Sequence, residues 1–556
     1  MSQPSFDLID QPWIPCVDLD GQPRMLGIGE TLIRAHELRE IFDDSPLVTV
    51  TLHRLLLAVV HHMVQGPRDP DHWAAIWKDG TGGFERTEVD EYFAAADRRR
   101  RFDLFDADYP FYQSADLPFA EAAQGGKKGR DFAAPVSRLA IEQASGSNVT
   151  LFDHSVDTNP KPVGAGEAAR LLVAMMGFSV GGTITFIDKK DRSAKACPLV
   201  KGAIAVVRGD SLFQTLALNL HQLNGGDGEP FEFDESVDCP AWARKDKVVP
   251  EGRLPRGYLD YLTWQSRRIR LKPEADGAGA TVVRQAVMMK GEFFPDEFQR
   301  RGHETMVAFR VKKDTKPNEN PFIPIGFQED RVFWRNSLAL YQSIDQLWVR
   351  PPMVDWLNRV CLAGHLNRSL VFPLDLYGMS SDQAKILFWR HERFSLPMEL
   401  IDSAARLIVL KTALDCAEKT RSNLWKAVRR FAQVLVLQDE KKQPGTEQNK
   451  DMKNIVQTLG IERSYWERLE EVFQQLLDSL MASPAEDSDR LVEIGESWLD
   501  EVHKTARRVF EQSVERAVNS GRSQRAAAVA GRSLNWLLKN HRAELFEPIS
   551  ELAETN

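Results

Sequence analysis

The sequence predicts an α+β protein. A large mixed α/β N-terminal domain spans residues 1–396, and an all-α four-helix bundle spans residues 397–556. Short apolar stretches of period two alternate with helical runs through residue 396. From about Pro397 the apolar period becomes that of helices and stays so. Before that change stands a hairpin with a polar tip, Arg368 to Leu396.

Asp44-Ser45-Pro46 reads as a helix start, with Ser45 as cap and Pro46 in the first turn. That helix continues through Leu55-Leu56-Leu57. Gly166 to Met176 predicts a second helix. Gly202 to Arg208, Tyr258 to Leu271 and Thr305 to Lys312 predict strands. In the hairpin, Ser369 to Leu376 places Leu370, Phe372, Leu374 and Leu376 on one face. Ile386 to Leu396 forms the other arm. The connector Tyr377 to Lys385 holds Gly, Ser and Asp, which favour turns, and Gln383 at its tip. The bundle helices are expected at Met398–Leu437, Met452–Met481, Ser488–Ser520 and Arg522–Phe546, with an interruption in the first at Thr420–Asn423. Polar connectors, among them Asp439–Lys450, favour antiparallel neighbours.

The hydrophobic content of 43% and charged content of 27% are those of a soluble globular chain of more than one domain. A net charge of −9 argues against coating nucleic acid by bulk charge. It leaves room for a local basic groove. The five cysteines, Cys16, Cys197, Cys239, Cys361 and Cys416, include no C-x-x-C pair, so a reducing, cytoplasmic setting is expected. No signal peptide is expected, because Met1 to Phe6 is polar and no apolar run follows it, and no membrane span, because the apolar run near Leu55–Val60 meets His61-His62.

One catalytic pattern occurs, G-x-S-x-G at Gly177–Gly181 around Ser179. A nucleophile elbow needs a strand before the serine and a helix after it. Here a helical run precedes and extended chain follows, so a chance match is the better reading. No phosphate-binding P-loop, zinc-protease or deaminase pattern is present. The chain is therefore expected to be no enzyme. The loop after Gly181-Gly182 carries Lys189, Lys190, Arg192 and Lys195. It is a solvated loop or a phosphate contact. In the helical part, Lys426, Arg429 and Arg430 share a helix face, as do Lys504, Arg507 and Arg508. Arg522, Arg525, Arg532 and Lys539 lie along the last helix. These are solvated faces or a groove for displaced single-stranded DNA.

Several segments resemble one family in order and spacing. They are Phe6–Pro15 with Trp13-Ile14-Pro15, then Asp108-Tyr109-Pro110-Phe111-Tyr112-Gln113, Val206-Val207-Arg208-Gly209, Thr263-Trp264-Gln265, and the hairpin. Together they resemble the large subunit of the type I-E CRISPR surveillance complex, Cascade (the CasA family). The resemblance implies a non-catalytic subunit that recognises the protospacer-adjacent motif in double-stranded DNA. It implies help in opening the duplex for R-loop formation, and a platform for a recruited helicase–nuclease. Partners would be other Cascade subunits and their CRISPR RNA.

By the same resemblance, Gly181 and Gly182 correspond to the motif-reading glycine loop. Lys290 lies near a DNA-contacting lysine, with Arg267-Arg268 and Lys312-Lys313 as alternatives. Gln383 is the wedge, flanked by Asp382 and Ala384. Leu151, Phe152 and Asp153 fall in a docking loop, where Phe152 is an anchor or a locally buried ring. Some family members carry a cysteine cluster after the Trp-Gln strand. Leu271 to Gly277 has none, so no metal or cofactor is expected. The rivals are a serine hydrolase using Ser179 and a structural scaffold binding RNA or protein.

Overall fold

The structure is a computed structural model. It describes residues 4–122, 129–142, 161–222, 238–296, 298, 303–312, 315–316, 320–329, 332–342, 347–382, 384–437, 443–517 and 519–554. The chain forms two compact units. One comprises residues 1–329 and 343–396, the other residues 330–342 and 397–556.

The first unit mixes helices with small antiparallel sheets. Its central helix is Pro46–Val64. As the sequence predicts, the Ser45 side chain caps it, accepting from the Val48 N–H at 3.2 Å. Among the described residues this is the one helix long and apolar enough to cross a membrane, and its length is buried inside the fold. Arg54 in its middle pairs with the buried Glu304 at 2.9 Å. The predicted second helix is present as Ala165–Phe178.

The strand expected over Tyr258–Leu271 divides. Tyr258–Leu262 is helical and the strand starts at Arg267. The Asp238 carboxylate accepts the N–H groups of Leu259 and Asp260 at 3.0 and 2.9 Å. That distant side chain caps the short helix and has no local signature. Arg267–Ala275 pairs with Thr281–Lys290, Arg267 standing opposite Lys290. The predicted strand over Thr305–Lys312 shrinks to Phe309–Val311. The opening strand begins at Ile14, after a turn over residues 8–12.

The strands of the hairpin are longer than the predicted arms and its turn is shorter. Its strands are Val371–Asp382 and Lys385–Pro397, and the first pairs with Ile204–Val207. Phe372, Leu374 and Leu376 are buried as expected, whereas Leu370 is exposed. Gly378 reads locally as a turn former but is a packing residue. A Cβ there would lie 2.7 Å from the Gly202 carbonyl oxygen.

The second unit is helical. Ala404–Val436 runs without the expected interruption, because Thr420 and Asn423 are buried in it. The break falls at Gly460, whose φ of +57° separates Thr446–Leu459 from Ile461–Ala482. Ser488–Glu515 and Gly521–Glu554 complete the set, and both pack against Ala404–Val436. Residues 330–342 belong here because Trp334 enters this core. Its ring stacks on Phe473 at 4.6 Å and meets Trp466 edge-on at 5.4 Å.

Candidate nucleic-acid interface

The glycine segment and the hairpin tip meet. Gly182 has φ of +150°, and a Cβ built on it would stand 3.3 Å from the Ala384 Cβ. The segment folds back on itself through Gly182–Thr183 and Ser193–Ala194. Asp188 caps the turn between them by accepting the Lys190 N–H at 3.1 Å. A cavity of about 660 Å³ is lined by Ser179, Gly181, Gly182, Arg267, Ala384 and Ile386, among others.

The basic residues of this region divide into two kinds. Lys189, Lys190 and Arg192 are exposed. Lys195 is tied down, donating to Asp296 at 2.6 Å and to the Phe294 carbonyl at 3.2 Å. Lys290 is mostly buried. Its ammonium lies 3.5 Å from Asp191 and 4.5 Å from the Phe293 ring centre. Its place beneath the loop gives it a bracing contact as well as proximity to the surface. Arg267 is buried, and Arg268 pairs with Asp116 at 2.8 Å. Asp382 and Ala384 are exposed at the tip. Gln383, Leu151, Phe152 and Asp153 lie outside the described residues.

A buried polar knot underlies the hairpin. Asp375 is wholly buried and receives Arg208 at 3.0 Å, Arg393 at 2.8 Å and the Tyr377 hydroxyl at 3.2 Å. His391 lies 3.2 Å from it and stacks on Tyr377 at 4.5 Å. Burial alone would push the Asp375 carboxyl up. Hydrogen bonds from His391 and Arg393, with the nearby Arg208 charge, outweigh it and hold the carboxyl well below the usual carboxylate range. Arg208 also reaches Glu40 at 2.5 Å. In the sequence, Val206–Gly209 and the hairpin stand out as separate segments. No local pattern announces that Asp375 joins them.

Ser179, among the described residues, has no strand leading into it and no base hydrogen-bonded to its hydroxyl. It follows the helix Ala165–Phe178, and its hydroxyl accepts from Arg267 Nε at 2.9 Å. A guanidinium cannot take a proton from a nucleophile. Among the described residues, Ser179 therefore lacks the partner that a nucleophilic serine uses.

In the helical unit, Arg508 and Arg525 are exposed. Arg429 lies 5.4 Å over the Trp425 ring, and Arg430 donates to Gln433 at 3.0 Å. Arg507 donates to Asn535 at 3.1 Å. Arg522 donates to the Leu437 carbonyl at 2.8 Å, satisfying a free carbonyl beyond the helix Ala404–Val436. Among the described residues, no three His, Cys, Asp or Glu side chains gather in metal-binding fashion.

Comparison with known proteins agrees with this architecture. The family model for CRISPR-associated protein Cse1 matches residues 7–509. The CRISPR-associated protein CasA/Cse1 of Thermus thermophilus is 31% identical over 474 residues, covering 84% of this chain and 86% of that protein. The crystal structure of Thermus thermophilus CasA superposes with a TM-score of 0.76 at 26% identity, over 97% of this chain and 100% of that one. A chain of a CRISPR RNA-guided surveillance complex superposes with a TM-score of 0.72 at 21% identity, over 96% of this chain and 99% of that one. The chain belongs to the CRISPR-associated Cse1 (CasA) family.

Proposed function

We propose that this chain is the non-catalytic DNA-recognition subunit of a CRISPR RNA-guided surveillance complex. It reads a short protospacer-adjacent motif in double-stranded DNA, helps open the duplex beside it, and offers a platform for a helicase–nuclease. RNA pairing then reads the long sequence. The observation that carries this reading is the close approach of Gly182 to Ala384, which leaves room for little more than a hydrogen at Gly182. It sets a narrow backbone edge, free of side-chain bulk, against the tip of a stiff hairpin. A narrow edge can enter a minor groove, and a residue at such a tip can part a base step at a cost of a few kcal/mol. The exposed Lys189, Lys190 and Arg192 stand on the same loop, where they can neutralise phosphates.

The partners are the other subunits of the complex with their CRISPR RNA, and target DNA. Family membership and the likeness to a chain of such a complex support this. The test is binding of the reconstituted complex to duplexes with and without a permissive flanking motif, alongside a turnover assay on the isolated chain. Affinity that depends on the flank, with no ester turnover, is the expected result. Equal affinity for all flanks leaves a structural scaffold. Turnover abolished by Ser179→Ala restores the hydrolase.

A further inference from the structure

Arg267 is among the largest fully buried side chains of the molecule, yet its hydrogen bonds go to neutral oxygens. Nε donates to the Ser179 hydroxyl at 2.9 Å, and one terminal nitrogen donates to the Ser266 carbonyl at 2.9 Å. The other donates to the Val180 carbonyl at 2.9 Å and to that of Ser179 at 3.4 Å. A buried cation is costly unless every donor works. Here the donors gather the carbonyls that immediately precede Gly181 and Gly182.

The consequence follows from peptide geometry. In a trans peptide the C=O and N–H point in opposite directions. With the Val180 carbonyl drawn to Arg267, the Gly181 N–H faces away from it. The ladder begins one residue on, where Gly182 pairs with Ala194 and Ile184 N–H donates to the Arg192 carbonyl at 2.9 Å. Gly181 stands just outside it, close against the Ala194–Ala196 backbone. Among the described residues the Gly181 N–H has no hydrogen-bond partner. Gly181 belongs to the wall of the cavity that Ala384 also lines.

We infer that Arg267 is a positioning residue for motif reading. It fixes the Val180–Gly181 peptide so that the Gly181 N–H is presented as a donor to an acceptor on the edge of the DNA. A·T pairs expose only acceptors in the minor groove. The inference rests on the motif-reading function above. A buried arginine is chosen because a flexible loop would otherwise let that peptide flip and offer a carbonyl, which DNA acceptors repel.

The experiment compares complexes carrying wild-type chain, Arg267→Lys, Arg267→Met and Ser179→Ala. The ratio of affinities for permissive and altered flanks is measured for each. Thermal unfolding of each chain and its assembly into the complex are followed in parallel. Arg267→Met is expected to lower the ratio about three- to tenfold, the weight of one hydrogen bond. Arg267→Lys recovers part of the loss. Ser179→Ala keeps the guanidinium but removes one acceptor, and lowers the ratio by about half. It decides the matter should Arg267→Met fail to fold. Hydrogen exchange adds a readout that a merely structural role does not move. A peptide spanning Gly181 gains protection when wild-type complex binds the permissive duplex, gains less in Arg267→Lys complex and least in Arg267→Met complex at equal occupancy. Unchanged ratios with lowered melting temperatures overturn the inference and leave motif reading standing. A wild-type complex without flank dependence overturns both.

Discussion

Arg208 and Asp375 tie the strand Ile204–Val207 to the hairpin beside it. The guanidinium lies 3.0 Å from a carboxylate with no exposed surface. Val206 and Asp375 are register partners, so Arg208 reaches across from the end of its strand. Arg393 meets the same carboxylate from the other side at 2.8 Å. The hairpin therefore projects from a fixed base, as the proposed wedge requires.

Asp375→Asn leaves Arg208 without its buried partner and is expected to cost about 3 kcal/mol in stability. The pH dependence has a definite sign. The folded carboxyl titrates below its unfolded value, so its contribution is complete above about pH 4. It is lost as pH falls further, through the folded value. Chemical denaturation of both proteins should show a large gap at pH 7 that narrows below about pH 4. A constant gap would mean the carboxylate charge contributes nothing.

The buried histidines give a second pH effect, at higher pH. His61 Nδ1–H donates to the Gly66 carbonyl at 2.8 Å, and burial lowers its pKa to about 4. His53 is lowered likewise, to about 4. Each stays neutral in the fold while the unfolded chain takes up a proton near pH 6.5. Stability from this source is complete above about pH 6.5 and falls as pH drops toward 4. His61→Asn should flatten that slope by up to one proton, measured as unfolding free energy against pH. An unchanged slope would place the titration elsewhere.

Much of the fold is legible in the sequence because it is written locally. The cap at Ser45, the helix Ala165–Phe178 and the four long C-terminal segments rest on periodicity and end signals. What escapes depends on distant partners. Asp238 caps a helix that starts at Tyr258. Gly202 and Phe327 close on Gly378 and turn a turn signal into strand. The site divides in the same way. Gly181, Gly182 and Ala384 could be singled out by pattern and resemblance, and they do lie together. Arg267 stands out only as half of an alternative DNA-contacting pair with Arg268, and nothing in that pair tells which of the two turns inward.

For the glycine loop, charge reversal at Lys189, Lys190 and Arg192 should weaken DNA binding by the complex. It should also flatten the dependence of log affinity on log salt by about one unit per lost phosphate contact. Lys195 is left out because it pairs with Asp296 at 2.6 Å, so reversal there also breaks a structural contact. An unchanged salt slope would mean the loop faces solvent in the complex.

Gln383→Ala should leave assembly intact, since its neighbours Asp382 and Ala384 are exposed. Initial binding should change little, while strand opening on a matched target slows about tenfold if the side chain occupies a parted base step. Stopped-flow fluorescence of a base analogue beside the motif reads the opening rate. Equal rates would remove Gln383 from the mechanism.

The last prediction concerns which base pair the tip prefers. Asp382 is exposed and ends the first hairpin strand, one residue before Gln383. An ionised Asp only accepts hydrogen bonds. In the minor groove A·T pairs show acceptors, whereas G·C adds the guanine amino donor. Facing A·T, Asp382 would meet acceptors and also the phosphate charge. Facing G·C, it accepts from the amino group. The complex should therefore favour G·C at the position Asp382 faces, or bind with Asp382 turned away. Asn can donate as well as accept, and it removes one negative charge. In the first case, Asp382→Asn relaxes discrimination at that position by about tenfold and strengthens binding to all flanks. A selection from randomised flanks, run with both proteins, reads the two effects separately. Identical preferences with stronger binding would mean that the charge acts on phosphates alone. Identical preferences at identical affinity would mean that Asp382 serves only the turn, which its place after Ser380-Ser381 would equally select.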